Sequence, residues 1–351
     1  MTQKVLYTNE VDATLSSIIE SGNYNLVMVL VDDNTRYHVL PRLTSHQIGN
    51  AHVIEIPTGD DHKNLDSLTH VWQEMERCGA TRQSLLVNLG GGVVTDLGGL
   101  AAATFKRGID FVNVPTTLLA AVDAAVGGKT GINFNGLKNE IGAFAPAKAV
   151  IVSTCFFSTL PEQELKSGFA ELLKHAMLSS HDQFGKLLNF DFNHIDPSVL
   201  LALLQESIKV KQDIVEQDPT EQGKRKALNL GHTVGHAFES KAMSDGTPVP
   251  HGYAVAWGLV AETVLSHMLL QFPSSDLYLL ARFVKDNYGA FHITCDHYDE
   301  LIGFMRHDKK SLNREINCTL LRECGNYTIN NTVAPQDIKT ALDIYRDLMG
   351  I

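Results

Sequence analysis

Cysteine is scarce in this 351-residue sequence and follows no pattern. Cys78, Cys155, Cys295, Cys318 and Cys324 form an odd, scattered set with no C-x-x-C pair. A disulfide framework is therefore not expected, and the thiols read as reduced and buried in a cytoplasm. Positive charge is in deficit too: 29 Lys and Arg stand against 40 Asp and Glu, a formal net charge of −11. That argues against general binding to nucleic acid or an anionic membrane, which needs a basic surface, but leaves room for a local basic pocket. Long apolar runs are missing. The longest clean one, 26–31 (LVMVLV), falls far short of the roughly 18 residues of a membrane helix. The opening MTQKVLYTNE has no apolar h-region, so no secretion signal is expected. Internal repeats, low-complexity tracts and Pro/Gly/Ser linkers are absent as well. What is present is 44% hydrophobic and 20% charged residues, ordinary for a soluble protein with real cores. The length predicts two domains of roughly 150 residues each.

In the first half, short β-branched runs alternate with helical stretches. Strands are predicted at 26–31, 53–56, 85–89, 111–114 and 149–152, and helices at 65–77 and 94–103. Such alternation implies a parallel sheet with covering helices. After Pro161 the texture turns helical: 161–179, 197–216, 225–240, 252–270 and 274–287. A β-like pair near 315–330 and a helix at 335–349 follow. The boundary is placed near 152–155, giving domains 1–153 and 154–351.

Two glycine turns are candidate anion sites. Gly90-Gly91-Gly92 follows a strand and opens a helix, where backbone N–H groups and the helix dipole favour a pyrophosphate. The match to G-x-G-x-x-G fails at Thr95, so on these residues alone a plain tight turn is the somewhat stronger reading. VGGKT (126–130) ends like a Walker A loop, but Asp123 occupies its first glycine position and an ATPase reading fails. Lys129, with Asp123 nearby, and Lys138-Asn139 remain, either as a pocket for a phosphorylated or carboxylated small molecule or as solvated loop lysines.

The segment GKRKALNLGHTVGHAFES spaces Arg225, Asn229, His232 and His236 by 4, 3 and 4, which predicts one polar stripe on an otherwise apolar helix. His232 and His236 have the spacing of a zinc pair without the H-E-x-x-H glutamate, since position 233 is Thr. A coordinating pair and a structural pair are both open. Glu171, amid Phe169, Ala170, Leu172 and Leu173, reads as a ligand or as an ion pair with Lys174. His251 opens another apolar helix. A Glu/His/His set from three helices would make a Lewis-acid site with open positions, but spacing cannot bring the three together.

The blocks GGGVVTDLGGLAAA, RGIDFVNVPTTLLAAVDAAVGGKTGINF, LKNEIGAF, SGFAELLKHAML, LNLGHTVGHAFE and HGYAVAWGL resemble the 3-dehydroquinate synthase family, a branch of the sugar phosphate cyclases, across nearly the whole chain. The resemblance implies an α/β fold, with an N-terminal Rossmann-like parallel-sheet NAD domain followed by an α-helical metal- and substrate-binding domain. It also implies a cytoplasmic homodimer whose partner is a phosphorylated sugar-acid substrate. The implied reaction turns 3-deoxy-D-arabino-heptulosonate 7-phosphate into 3-dehydroquinate and phosphate, the second step of the shikimate pathway to chorismate and the aromatic amino acids. Its sequence is transient oxidation by NAD, β-elimination of phosphate, re-reduction, ring opening and intramolecular aldol closure.

Carried over by position, the resemblance makes Glu171, His232 and His251 ligands of a divalent metal, Zn²⁺ or Co²⁺, and His236 a substrate-side residue. NAD would draw on Asp32, Asn34, Asp60, Lys63, Gly91, Gly92, Asp96, Thr116, Thr117 and Asp123, with Lys129 and Lys138 adjoining. The substrate would meet Lys129, Lys138, Asn139, Lys174, Lys211, Arg225, Asn229, His236 and Lys310. Arg107 would reach its phosphate, in its own or a partner subunit's site. Tyr253 stands where the family more often has glutamate, and Asp60 where it has PSGE or PDGE, which touches only a detail of the NAD contact. The alternatives are a sister cyclase of 2-deoxy-scyllo-inosose or valiolone type, a metal-dependent polyol dehydrogenase, and a protein that merely retains NAD and metal. The intact lysines and His236 argue against the last.

Overall fold

The computed structural model of the protein describes residues 3–307 and 315–351. Its contacts divide the chain into two compact units, Met1–Pro161 with Asp196–Ile208, and Glu162–Ile195 with Lys209–Ile351. The boundary read from sequence lies shortly before Pro161 and does not anticipate the assignment of 196–208 to the first unit.

The first unit contains strands β1 (Lys4–Tyr7), β2 (Leu26–Asp32), β3 (His52–Ile56), β4 (Ser84–Gly90), β5 (Asp110–Pro115), β6 (Lys129–Phe134), β7 (Leu137–Phe144) and β8 (Ala149–Val152). Six of them form one sheet in the order β1-β8-β5-β4-β2-β3, every neighbouring pair parallel. The α/β expectation holds, and all five predicted strands lie in this sheet. They were readable because a parallel strand is covered on both faces and so runs continuously apolar. All seven residues of β4 are buried, including Asn88, whose Nδ2 donates to Asn113 Oδ1 at 2.8 Å on β5. Helices α1 (Val11–Gly22), α2 (Asp33–His38), α3 (His46–Gly49), α4 (Leu65–Arg77) and α5 (Gly92–Thr104) connect the strands. Asn64 caps α4 by accepting from the Ser67 N–H at 3.0 Å, and Leu68, Val71 and Met75 form its buried stripe.

Strands β6 and β7 correct the sequence reading, which left Lys129 and Lys138 in glycine-turn loops. They form an antiparallel hairpin whose turn, Asn135-Gly136, has φ of 49° and 78°. Two consecutive positive φ values are the mirror-image turn that asparagine and glycine tolerate and that matches strand twist.

The second unit holds α6 (Glu162–Ser179), α7 (His181–Leu188), the part of α8 (Pro197–Gln217) from Lys209 onward, α9 (His232–Ser244), α10 (His251–Leu270), α11 (Ser274–Tyr288) and α12 (Tyr298–His307). A two-stranded antiparallel sheet, β9 (Asn317–Glu323) with β10 (Asn326–Thr332), and α13 (Pro335–Met349) complete it. The predicted helix over 225–240 is corrected. Lys224–Asn229 is a 3₁₀ turn, Leu230 is extended, Gly231 is left-handed at φ +78°, and the α-helix starts at His232. The four polar residues are therefore not one stripe. The absence of a long apolar helix is also corrected among the described residues. Helix α10 is long and apolar enough to cross a membrane by length and composition, but 72% of its apolar window is buried inside the fold. Gly252, Gly258, Glu262, Thr263, Ser266 and His267 interrupt its apolar run, which is why the run length missed it.

The core around α6 is aromatic. Phe169, fully buried, lies 4.7 Å from the Phe190 ring, 4.8 Å from Phe192 and 6.0 Å from Phe283. Phe169→Ala should cost about 3–5 kcal/mol in urea unfolding of the second unit, whereas Tyr278→Ala on the exposed face of α11 should stay within about 0.5 kcal/mol. Near-equal costs for the two would contradict the assigned core.

Candidate metal centre and active site

Because all six sheet strands run parallel, their C-terminal ends share one edge, the usual ligand edge of an open α/β sheet. β2 ends at Asp32, β4 at Gly90 and β5 at Pro115, with Gly90 opposite Pro115 in register. Gly91-Gly92 and Thr116-Thr117 therefore emerge side by side, and the Thr116 N–H donates to Gly90 O at 3.0 Å. A Cβ on Gly91 would lie 3.3 Å from Thr117 Cγ2, and one on Gly92 3.4 Å from Ala124, beside Asp123. Asp32 caps α2 by accepting from the Thr35 N–H at 2.8 Å, and Asn34 is exposed beside it. A second group gathers where the hairpin meets 60–63. Lys63 Nζ bonds both the Asp96 carboxylate and Asn139 Oδ1, and Lys138 Nζ lies 3.4 Å from Asp60 Oδ2. Asn133 ties the group together, accepting from the Asn139 N–H at 2.9 Å and donating to Lys63 O and Asp60 O. Arg107, by contrast, is exposed on a 3₁₀ turn with φ +68°.

In the second unit, Glu171 of α6, His232 of α9 and His251 of α10 converge, with ligand atoms all within 4.8 Å of one another. Glu171 is completely buried. Its Oε2 is paired with Lys174 Nζ, one turn along α6, and its Oε1 lies 3.4 Å from His232 Nε2 and 3.5 Å from His251 Nε2. Neither imidazole contact has hydrogen-bond geometry. His232 Nδ1 is 3.0 Å from Leu230 O, which fixes its proton there and turns the Nε2 lone pair to the centre. His251 Nδ1 faces Glu239 Oε2 at 3.4 Å in the same manner. One carboxylate oxygen and two imidazole nitrogens thus point at one another, a donor set that fits a divalent cation with positions left open. His236 stands beside this set, its ring 5.2 Å from His232 and 5.8 Å from His251.

The charges around this centre are strongly shifted. Burial raises the Glu171 carboxyl, but Lys174 and His232 outweigh it and hold it well below the usual range. Burial pushes His232 down to about 4. Burial also opposes the charged form of His251, yet the carboxylates of Glu171 and Glu239 prevail and push it up to about 9.

The remaining residues of the predicted set are accounted for unevenly. Arg225 is buried, its Nη1 donating to Pro219 O at 2.7 Å and its N–H to Asp218 Oδ2 at 3.0 Å. Asn229 Nδ2 donates to Glu221 Oε1 at 3.2 Å, and Lys211 is buried in α8. Lys310 lies outside the described residues. Asp218, Glu221, Glu239 and Glu262 were not picked out from sequence. HAFE carried a weak signal for Glu239, an acid three residues after His236 and seven after His232 on the histidine helix, whereas Glu262 sits in an apolar helix with no pattern to flag it.

Comparison with known proteins decides the family. The 3-dehydroquinate synthase N-terminal family model matches residues 53–167 and the C-terminal one residues 168–311. The chain belongs to the 3-dehydroquinate synthase family. It is 45% identical to the 3-dehydroquinate synthase of Parabacteroides distasonis over 99% of both chains. It is 39% identical to that of Oceanobacillus iheyensis over 94% of this chain and 92% of the other. Two solved structures share the fold. One is a 2-deoxy-scyllo-inosose synthase with carbaglucose-6-phosphate, NAD⁺ and Co²⁺, at TM-score 0.83 and 23% identity over 96% of this chain and 95% of the other. The other is the 2-epi-5-epi-valiolone synthase of Streptomyces hygroscopicus subsp. jinggangensis with NAD⁺ and Zn²⁺, at TM-score 0.84 and 21% identity over 99% and 97%.

A cation needs both imidazoles neutral, and at neutral pH only His251 carries a proton that must leave. Binding one divalent ion near pH 7 should therefore release about one proton, and affinity should fall as pH drops below about 9. Calorimetry in buffers of different ionisation enthalpy reads the proton count. Pure pH-independent binding would contradict the geometry.

Proposed function

We propose that this protein converts 3-deoxy-D-arabino-heptulosonate 7-phosphate into 3-dehydroquinate and inorganic phosphate. The observation that carries this reading is end-to-end identity of 45% to a 3-dehydroquinate synthase together with the convergence of Glu171, His232 and His251. In this reading residues 1–153 serve NAD and residues 154–351 serve metal and substrate. The enzyme acts as a cytoplasmic homodimer with zinc or cobalt. The described cysteines, all free thiols, agree with that compartment.

When bound, the divalent ion supplies Lewis acidity at a substrate hydroxyl and NAD⁺ supplies a hydride acceptor that is regenerated within the cycle. The chain's own residues do the rest. Asp32, Asn34, Asp60, Lys63, Gly91, Gly92, Asp96, Thr116, Thr117 and Asp123 bind the dinucleotide at the sheet edge, its pyrophosphate on the open amides of the α5 N-terminus. Glu171, His232 and His251 hold the ion. Lys129, Lys138, Asn139 and Arg107 in the first domain, and Lys174, Lys211, Arg225, Asn229, His236 and Lys310 in the second, bind the substrate. Its carboxylate and phosphate both need cations fixed beforehand, because preorganised charge stabilises the developing anion without reorganisation at the moment of reaction. His232 and His251 turn their Nε2 atoms to the ion, and His236, whose ring lies 5.2 Å from His232 and 5.8 Å from His251, is the histidine that meets the substrate beside it.

Purified protein with NAD⁺ and a divalent ion should release phosphate from the heptulosonate while absorbance at the NADH wavelength stays flat. It should not act on sedoheptulose 7-phosphate or glucose 6-phosphate. Stoichiometric NADH would support a polyol dehydrogenase instead, and faster release from either sugar a sister cyclase. Arg225, whose planar fork suits both carboxylate oxygens, is the discriminating residue. Arg225→Met should lower kcat/KM by on the order of 10- to 100-fold with metal content and NAD affinity unchanged. A wild-type rate in that variant removes Arg225 from the substrate site.

A further inference from the structure

Helix α9 begins without a cap of its own. Its first-turn N–H groups need acceptors, and the residue in the cap position, Gly231, has no side chain to offer one. The acceptor comes from another helix. Glu262 of α10, completely buried, accepts from the Gly231 N–H through Oε2 at 2.7 Å and from the Val234 N–H through Oε1 at 2.9 Å. These are the cap and third helical positions, the two that a capping box joins with two separate side chains. Here one carboxylate serves both.

Close packing makes the reach short. A Cβ on Gly231 would sit 2.7 Å from Leu259 Cδ2 and 3.1 Å from Leu259 N, and Gly258 packs against the Gly231 carbonyl. With φ at +78°, position 231 takes glycine on conformational grounds as well. His232 is the first residue of the turn that Glu262 grips, lying between Gly231 and Val234. The same helix α10 carries His251 at its start.

We infer that Glu262 is a positioning residue of the metal centre: by holding the first turn of α9 it sets His232 Nε2 against Glu171 and His251. The inference rests on the reading that Glu171, His232 and His251 bind the ion. Partners that orient ligands commonly control metal affinity by roughly 10- to 100-fold when removed. Glu262→Gln keeps the shape but replaces one acceptor oxygen with a donor that faces a backbone N–H. Glu262→Asp keeps the charge and falls one methylene short.

The test is chelator-competition titration of cobalt or zinc into metal-free wild type, Glu262→Gln, Glu262→Asp, His232→Ala and Val284→Ala, with NAD affinity and thermal midpoint recorded for each. Val284, fully buried in α11 and outside both α9 and α10, supplies a destabilised core variant. The expectation is a metal affinity lower by roughly 10- to 100-fold in Glu262→Gln, a smaller loss in Glu262→Asp, and wild-type affinity in Val284→Ala. NAD affinity should be unchanged throughout. If Glu262→Gln does not fold, Glu262→Asp against Val284→Ala decides the question alone. Wild-type metal affinity in the folded Glu262 variants while His232→Ala loses the ion overturns the positioning role and leaves the metal site standing. Wild-type affinity in His232→Ala overturns the metal reading itself. A loss in Val284→Ala equal to that in the Glu262 variants would mean that affinity only follows stability, and would overturn the inference.

Discussion

The structure of the second unit depends on one buried charge. Glu171 has no exposed surface, and an isolated ionised carboxylate in a protein interior is far too costly to persist. It persists because Lys174 takes one oxygen from the same helix and because two more helices start at the other oxygen. His232 and His251 are the first residues of α9 and α10, so both helix N-termini, with their positive dipole ends, stand near the carboxylate. What is arranged around Glu171 is thus a ring of groups that favour its ionised form. That keeps its pKa low despite burial. The arrangement leaves an ionised carboxylate facing two imidazoles, the donor set that the proposed metal centre needs.

Two further acids complete the arrangement. Glu239 orients His251, and Glu262 substitutes for the missing cap of α9. Asp218 plays the equivalent part ahead of Arg225, accepting from the N–H groups of Gln222, Gly223 and Arg225. In each case a carboxylate satisfies backbone or ring donors next to a residue assigned to the chemistry. Rigid supports of this kind matter because a ligand or a substrate contact displaced by a fraction of an ångström loses most of its effect.

The sheet was legible in the sequence and the site was only partly so, for physical reasons that differ. Strands such as 26–31 and 85–89 are buried on both faces, so their apolar runs are continuous and short. The hairpin was hidden because its residues are largely exposed and glycine-rich, so its strands lack the continuous apolar runs that mark the sheet, and Asn135-Gly136 alone signals only a turn. The break before His232 was hidden because the 4, 3, 4 spacing of polar residues runs through Gly231 undisturbed. Periodicity registers which residues are polar, and the conformation of one glycine does not alter it. The Glu/His/His set was beyond spacing altogether, since its members come from three helices separated by loops and by α7 and α8. Family resemblance supplied that link, and the geometry of the three ligand atoms agrees with it.

The central claim is that this buried carboxylate and its two imidazoles form a divalent metal centre. X-ray absorption spectroscopy on zinc-loaded protein tests it most directly. The account predicts one ion per chain in a shell of nitrogen and oxygen only, with the multiple-scattering pattern of two imidazoles. A shell containing sulfur from the free cysteines, or fewer than two imidazoles, would contradict it.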